Sequence, residues 1–154
     1  MKARTINQNS EIEQVIASCD VCHVGMVDLN GKPYVLPFNF GYLGGILYIH
    51  SGPDGKKIDI WSKNPNVCIA FSSDYLLRYQ HQDVACSYSM KYRSVLLYGK
   101  IEEIFDLDEK QHIMNIIMKK YTNRNNFEYS PPAIRNVKVF RVKPEMVEGK
   151  AYGY

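Results

Sequence analysis

Apolar positions along the chain alternate between a helical period and a strict every-other-residue pattern, and the changes of period set the element order. Ile12, Val15, Ile16 and Cys19 recur at helical spacing behind Ser10 and Glu13, which form an S-x-x-E capping box. A strand is expected from about Val21 to Asp28. Leu29-Asn30-Gly31-Lys32 supplies its turn, Asn-Gly being the strongest short hairpin signal. The return strand runs from about Pro33 to Tyr42, Gly44-Gly45 turns the chain again, and a third strand covers Ile46 to His50. Asp54 is placed to cap a short helix through about Ser62, with Ile58 and Trp61 on one face. Asn64-Pro65 stops it.

Val67 to Ser72 alternates as a strand, and Asp74 to Asp83 has no clear period and reads as a loop. A long β segment, taken as a strand pair, covers roughly Val84 to Phe105, with Gly99 marking a bend or bulge. Asp106 and Glu109 open a second capping box, and Met114, Ile117, Met118 and Tyr121 follow at helical spacing. Thr122 to Pro132 reads as loop, Val137 to Val142 as the last strand, and the tail from Pro144 as irregular. Strands dominate, and the first three are joined by tight turns, so they pair antiparallel. The expected fold class is mostly β, a closed or split antiparallel barrel with short helices at its rim. The 154 residues suit one domain over 1–154, large enough to bury a core without staples.

Charge narrows the function. Nineteen basic residues against 16 acidic give a formal +3, too little to argue for nucleic acid. Any positive site must be local. The first residues carry no apolar signal region, and no apolar run is long enough to span a bilayer. A cytoplasmic protein with four reduced thiols, Cys19, Cys22, Cys68 and Cys86, is the default expectation.

The most informative stretch is Leu47 to Lys57, LYIHSGPDGKK. A strand ends in His50-Ser51, and a glycine-bearing turn opens a helix with Lys56 and Lys57. Unpaired helix N–H groups, a hydroxyl, two ammonium groups and glycines that permit close approach suit a terminal phosphate. The Walker A spacing fails, and so does the dinucleotide fingerprint. The plainer reading is an exposed turn with two solvated lysines. In KYRSVLLYG at 91–99, Arg93 can fork onto a phosphate and Ser94 can donate to a ring carbonyl, or the pair is a strand entrance with an exposed arginine. Asn39, between Phe38 and Phe40, can meet the edge of a planar ring or bond a neighbouring strand. His50 is the candidate proton donor, or a structural strand-end histidine. His81 and His112 read as loop and surface residues. Cys19-Asp20-Val21-Cys22-His23 spells the C-x-x-C-H haem string, but without an export signal, and with Cys19 on the apolar helix face, packing is the better reading. Zinc and thioredoxin-type readings fail on spacing and on helix direction.

Taken in order, the segments at 22–42, 47–71, 92–104 and 137–150 resemble the FMN-binding split-barrel proteins related to pyridoxamine 5′-phosphate oxidase, more narrowly the nitroimidazole-resistance branch. The resemblance implies a six-stranded antiparallel split barrel of Greek-key type and a homodimer with two FMN sites between subunits. Carried over by position, Pro37, Phe38 and Asn39 face the flavin ring. His50 and Ser51 sit beside ring and ribityl chain. Gly55, Lys56 and Lys57 hold the phosphate. Tyr92, Arg93, Ser94 and Val95 line the same groove, from the partner chain on one arrangement. Residues 74–90 match no family segment, and the arginine-rich substrate clamp of the true pyridoxamine oxidases is absent. The expected activity is therefore FMN-dependent transfer of electrons to a small, nitro-bearing or aromatic substrate. The alternatives are a non-catalytic protein that stores or senses flavin, or holds a deazaflavin or a haem-like planar ligand.

Overall fold

A computed structural model describes residues 2–154. Eight strands alternate with four helices. In chain order these are β1 (Ala3–Ile6), α1 (Asn9–Ser18), β2 (Cys22–Val27), β3 (Pro33–Phe38), β4 (Phe40–Leu43), β5 (Ile46–Ser51) and α2 (Lys56–Lys63). Then come β6 (Asn66–Arg78), β7 (Ser89–Ile104), α3 (Leu107–Thr122), α4 (Pro131–Asn136) and β8 (Lys138–Tyr152). The sheet runs β3-β2-β6-β7-β8-β5-β4, with β1 added to β8, and every pairing is antiparallel.

The two ends of that path, β3 and β4, are separated in sequence by one residue, Asn39. Two peptide units span at most about 7.6 Å. A flat path of seven strands would hold its ends roughly 29 Å apart. The sheet therefore curls until its ends meet at Asn39, without β3 and β4 forming a ladder. That is a split barrel. Eight strands replace the expected six, because residues 3–6 add to the edge of β8 and the expected strand 33–42 is cut at Asn39.

The cut leaves the Phe40 N–H outside the ladder, and a side chain satisfies it. The Tyr121 hydroxyl accepts from Phe40 N at 3.0 Å and donates to the Asp20 carbonyl at 2.8 Å. One phenol on α3 thus ties the corner to the turn leaving α1. Gly41 follows immediately. A Cβ there would lie 3.0 Å from Ile116 Cγ2 and 3.1 Å from Ile117 N, so β4 lies on α3 at glycine distance.

Alternate residues point into the barrel. Val24, Leu47, Ile49, Ile69, Phe71, Val95, Leu97 and Val142 are fully or almost fully buried, joined by Val15 and Ile16 of α1 and Trp61 of α2. A second cluster, Ile104, Ile113, Ile117, Ile134 and Val139, seats α3 and α4 on the outer side of β5 and β8.

Several expected boundaries move. Helix α1 begins at Asn9 with Gln8 as its uncapped N-cap, so Ser10 lies inside the first turn and the Ser10–Glu13 box does not form. Asp106 does cap α3, its carboxylate accepting from Glu109 N at 2.9 Å, while Glu109 pairs with Arg141 and does not complete the box. The loop expected at 74–83 is strand as far as Arg78. It escapes periodicity because a bulge between Ser73 and Leu76, with Asp74 at φ 57°, resets the alternation. The segment taken as a strand pair is one strand, β7, preceded by a 3₁₀ turn at Ala85–Ser87. The expected loop to Pro132 ends in a helix, α4, capped by Ser130. The tail past Pro144 continues as strand to Tyr152, carried across Pro144 by a bulge opposite Tyr98/Gly99. Gly99 is needed there, since a Cβ would stand 2.7 Å from the Lys143 carbonyl. No helix among the described residues is long and apolar enough to cross a membrane.

Replacing Tyr121 with Phe should cost about 1–2 kcal/mol, the value of a lost hydrogen bond that leaves a backbone donor unpaired. By thermal unfolding this is a drop of roughly 2–8 °C. An unchanged melting temperature would show that the corner does not depend on the phenol.

Candidate functional site

The turn after β5 has the features of an anion cradle. Gly55 adopts φ 120° and serves as the N-cap of α2. Asp54, the expected cap, makes no such bond, so no side chain closes the helix start and its first N–H groups remain available. The Lys57 ammonium lies 3.5 Å from where a Gly55 Cβ would be, folded back across the turn. Lys56 points elsewhere, 3.6 Å from the Asp28 carboxylate and 4.6 Å above the Tyr34 ring. The Lys32 and Asn30 N–H groups hold Asp28 below the usual carboxylate range, with Lys56 adding to the effect. Ser51 is buried and donates to its neighbour's carbonyl, Gly52 O, at 2.8 Å. The two lysines, alike in sequence, therefore differ: Lys57 faces the cradle and Lys56 is engaged.

Trp61 ties this turn to β3. Its ring lies 5.9 Å from Phe38 and 5.0 Å from Phe140, and its buried Nε1–H has no partner. Phe38 therefore faces α2, while Pro37 and Asn39 are exposed at the corner. Sequence reading placed Trp61 on the apolar helix face and gave no sign of its orphaned donor, which depends on what surrounds it.

His50 pairs directly opposite Val139 and alternates with Ile49 and Ser51, so it shares the face of Tyr48 and Val139 beneath α3 and α4. No hydrogen bond from its ring is made among the described residues. Its partial burial lowers its pKa from the ordinary histidine value.

Tyr92, Arg93, Ser94 and Val95 stand apart from all of these. Arg93 donates to Asp74 at 2.8 Å and to Glu11 at 3.3 Å, and its guanidinium lies 3.9 Å from the Tyr154 ring centre. Tyr92 stacks on Tyr152, and Val95 is buried. Ser51 pairs with Lys138 at one end of β8, whereas Arg93 pairs with Ala151 at the other. On the order of 40 Å of extended strand separates them. The fold thus sets Ser51, Gly55 and Lys57 at one turn, with Phe38 against Trp61 of the helix that follows, and pairs Tyr92 to Val95 with the far end of β8, Val95 lying opposite Phe71, whose ring is 5.2 Å from Phe40.

The outer face of the sheet lies between these groups. By register it presents Pro37 and Val35 on β3, Cys68 and Ala70 on β6, Leu96 and Tyr98 on β7 and Met146 on β8. Val35 is 58% exposed and Met146 49%. Cys19 and Cys22 are buried, and burial pushes the Cys22 thiol up to about 12. No cluster of three or more metal-ligating side chains occurs among the described residues.

The family model described as pyridoxamine 5′-phosphate oxidase matches residues 8–151. Among solved structures, the chain is similar to a candidate 5-nitroimidazole antibiotic resistance protein from Bacteroides thetaiotaomicron. The identity is 48%, with 97% of this chain and 87% of that chain covered, at a TM-score of 0.88. An FAD-binding protein from Mesorhizobium loti is 25% identical, with 99% and 100% covered and a TM-score of 0.69. An FAD- and haem-binding protein from Mycobacterium smegmatis shares the fold at 15% identity, with 97% and 74% covered and a TM-score of 0.84. A search of curated proteins finds no match.

The lowered His50 pKa has a signed consequence. Below 6.5 the unfolded chain takes up a proton that the buried imidazole resists, so stability present above 6.5 is lost as pH falls through it. Thermal melts at pH 7.5, 6.5 and 5.5 should fall more steeply for the natural chain than for His50→Asn. Parallel curves would mean that His50 is solvated.

Proposed function

The chain belongs to the pyridoxamine 5′-phosphate oxidase family, and from that premise we propose that it is an FMN-dependent oxidoreductase working as a homodimer, with flavin held between subunits. The observation that carries the reading is the split of the expected site along β8. One half, Ser51 to Lys57 with Phe38, offers an uncapped helix start and a free ammonium group. The other half, Tyr92 to Val95, begins a strand length away. A second copy stacked on the outer face, where Pro37, Ser94 and Leu96 point beside His23 and Glu148, brings one subunit's half to the other's.

The residues fit the group. Lys57 and the amides beyond Gly55 hold a single terminal phosphate, which favours FMN over a larger flavin nucleotide. Asn39, exposed at the corner, has amide groups free to meet a ring edge. When bound, flavin supplies the redox chemistry. His50 supplies a proton only as imidazolium, so turnover that depends on it rises as pH falls toward its lowered pKa. The substrate class is a small nitro-bearing aromatic, on the strength of the 48% identical chain described as a candidate nitroimidazole resistance protein. Four unpaired cysteines fit the reducing cytoplasm.

The freshly purified protein should be yellow and release FMN by mass spectrometry. A colourless protein that takes up no added FMN ends the reading. A protein that binds FMN, yet is reduced by neither NADH nor NADPH, is a flavin store or sensor instead. Lys57→Ala should weaken FMN binding about tenfold or more, the size of a hydrogen bond to a charged group, and Lys56→Ala much less. Equal losses would displace the cradle.

Shared sites can be tested by mixing. Lys57→Glu and Ser94→Trp should each abolish flavin binding alone. Co-expressed, they should recover roughly a quarter of the sites, because half the dimers are mixed and each then holds one intact site. No recovery would place both halves of the site in one chain.

A further inference from the structure

Behind the Asn39 corner, the ends of α1 and α3 and strand β4 enclose a cavity of about 600 Å³ that none of the flavin residues lines. Its size falls within the range of small-molecule sites. One side is apolar, formed by Phe40, Leu43 and Ile116, and α3 turns His112, Lys119 and Lys120 into it from one face.

Lys120 is the unusual member. Its ammonium donates to the Ala17 carbonyl at 2.9 Å and sits 4.5 Å from the Phe40 ring centre. No carboxylate among the described residues lies within 4.0 Å of it, and Asp20, which lines the same cavity, does not reach it. Burial lowers its pKa, with the nearby charge of Asp20 opposing the effect in part. Lys119 is exposed and also lacks an ion pair among the described residues.

The charges decide what fits. The carboxyl ends of α1 and α3 both point here, and their partial negative charge would by itself draw a cation. Two full positive charges on the last turn of α3 offset those half-charges and the single Asp20, and they sit on long side chains that reach into the cavity. The Phe40 face that could receive a cation already carries Lys120. A partly desolvated ammonium with one hydrogen bond is relieved by an anion and not by a neutral ligand. The apolar wall calls for a body attached to that anion.

We infer that this cavity is a second ligand site, separate from the flavin cradle, for a small organic carboxylate with an aromatic or branched aliphatic body. The carboxylate lies between Lys119 and Lys120, and the body lies against Tyr42, Leu43 and Ile116.

Calorimetric titration of the purified protein with benzoate tests it, with benzyl alcohol and benzylammonium as neutral and cationic isosteres. Benzoate should saturate one site per chain and bind at least tenfold more tightly than either isostere. Lys120→Met should abolish binding. Because Lys120 also caps α1, two exposed positions decide the matter if that variant fails to fold. Lys119→Met should weaken benzoate severalfold, and Leu43→Glu, which sets a negative charge on the rim, should weaken it tenfold or more. No saturable binding, equal affinity for benzoate and benzyl alcohol, or benzoate affinity unchanged in both surface variants would overturn the assignment. Flavin content measured in the same samples keeps the two sites distinct. Benzoate binding without flavin sinks only the flavin reading, and flavin without benzoate binding sinks only this one.

Discussion

The joining of β3 to β4 through Asn39 is the constraint on which the rest depends. Strands at opposite ends of a seven-strand path must meet within two peptide units, so the sheet has to close on itself. Closure creates an interior, and α1 and α2 supply Ile16 and Trp61 to it. It also creates a corner where backbone groups leave the ladder. Tyr121 satisfies one of them and ties α3 to the same place. The cavity behind the corner and the exposed Asn39 in front of it are two sides of this arrangement.

Electrostatics then distinguishes groups that the fold places near one another. Lys56 is taken up by Asp28 and Tyr34, and Arg93 by Glu11 and Asp74. Such surface pairs add little stability, but they decide which cations remain free for a ligand. Lys57 and Lys120 are among the cations left without an ion pair among the described residues. The first stands over a glycine turn at a helix start, where helix dipole and ammonium act together on a phosphate. The second stands where helix ends oppose it, so only a full negative charge is well received.

Much of this was legible in the sequence. The Asn30-Gly31 turn, the Gly44-Gly45 turn and the Asp106 cap are local, set by side chains within four residues of one another, and local chemistry is readable from order alone. The misreadings share a cause. At Ser73–Leu76 and at Pro144 a bulge shifts the alternation by one residue, so a real strand looks aperiodic. Ser10 and Asp54 have the right chemistry for caps, but the chain enters each helix from an angle set by the strand before it. Gln8 and Gly55 take those positions instead.

The sequence by itself determined the β-rich class, the antiparallel turns, and the glycine turn with two lysines that opens a helix at Ser51–Lys57. Tertiary structure decided which of two adjacent lysines is free, since Asp28 is far from Lys56 in the chain and near it only after β3 has packed on α2. It decided that Tyr92–Val95 and Ser51 pair with opposite ends of β8, a fact of register that no local pattern encodes. It also gathered His112, Lys119 and Lys120 around a cavity with Phe40 and Leu43. The physical reason is the same in each case. Charge and burial act through space, and the distances that set their strength are fixed only when the barrel closes.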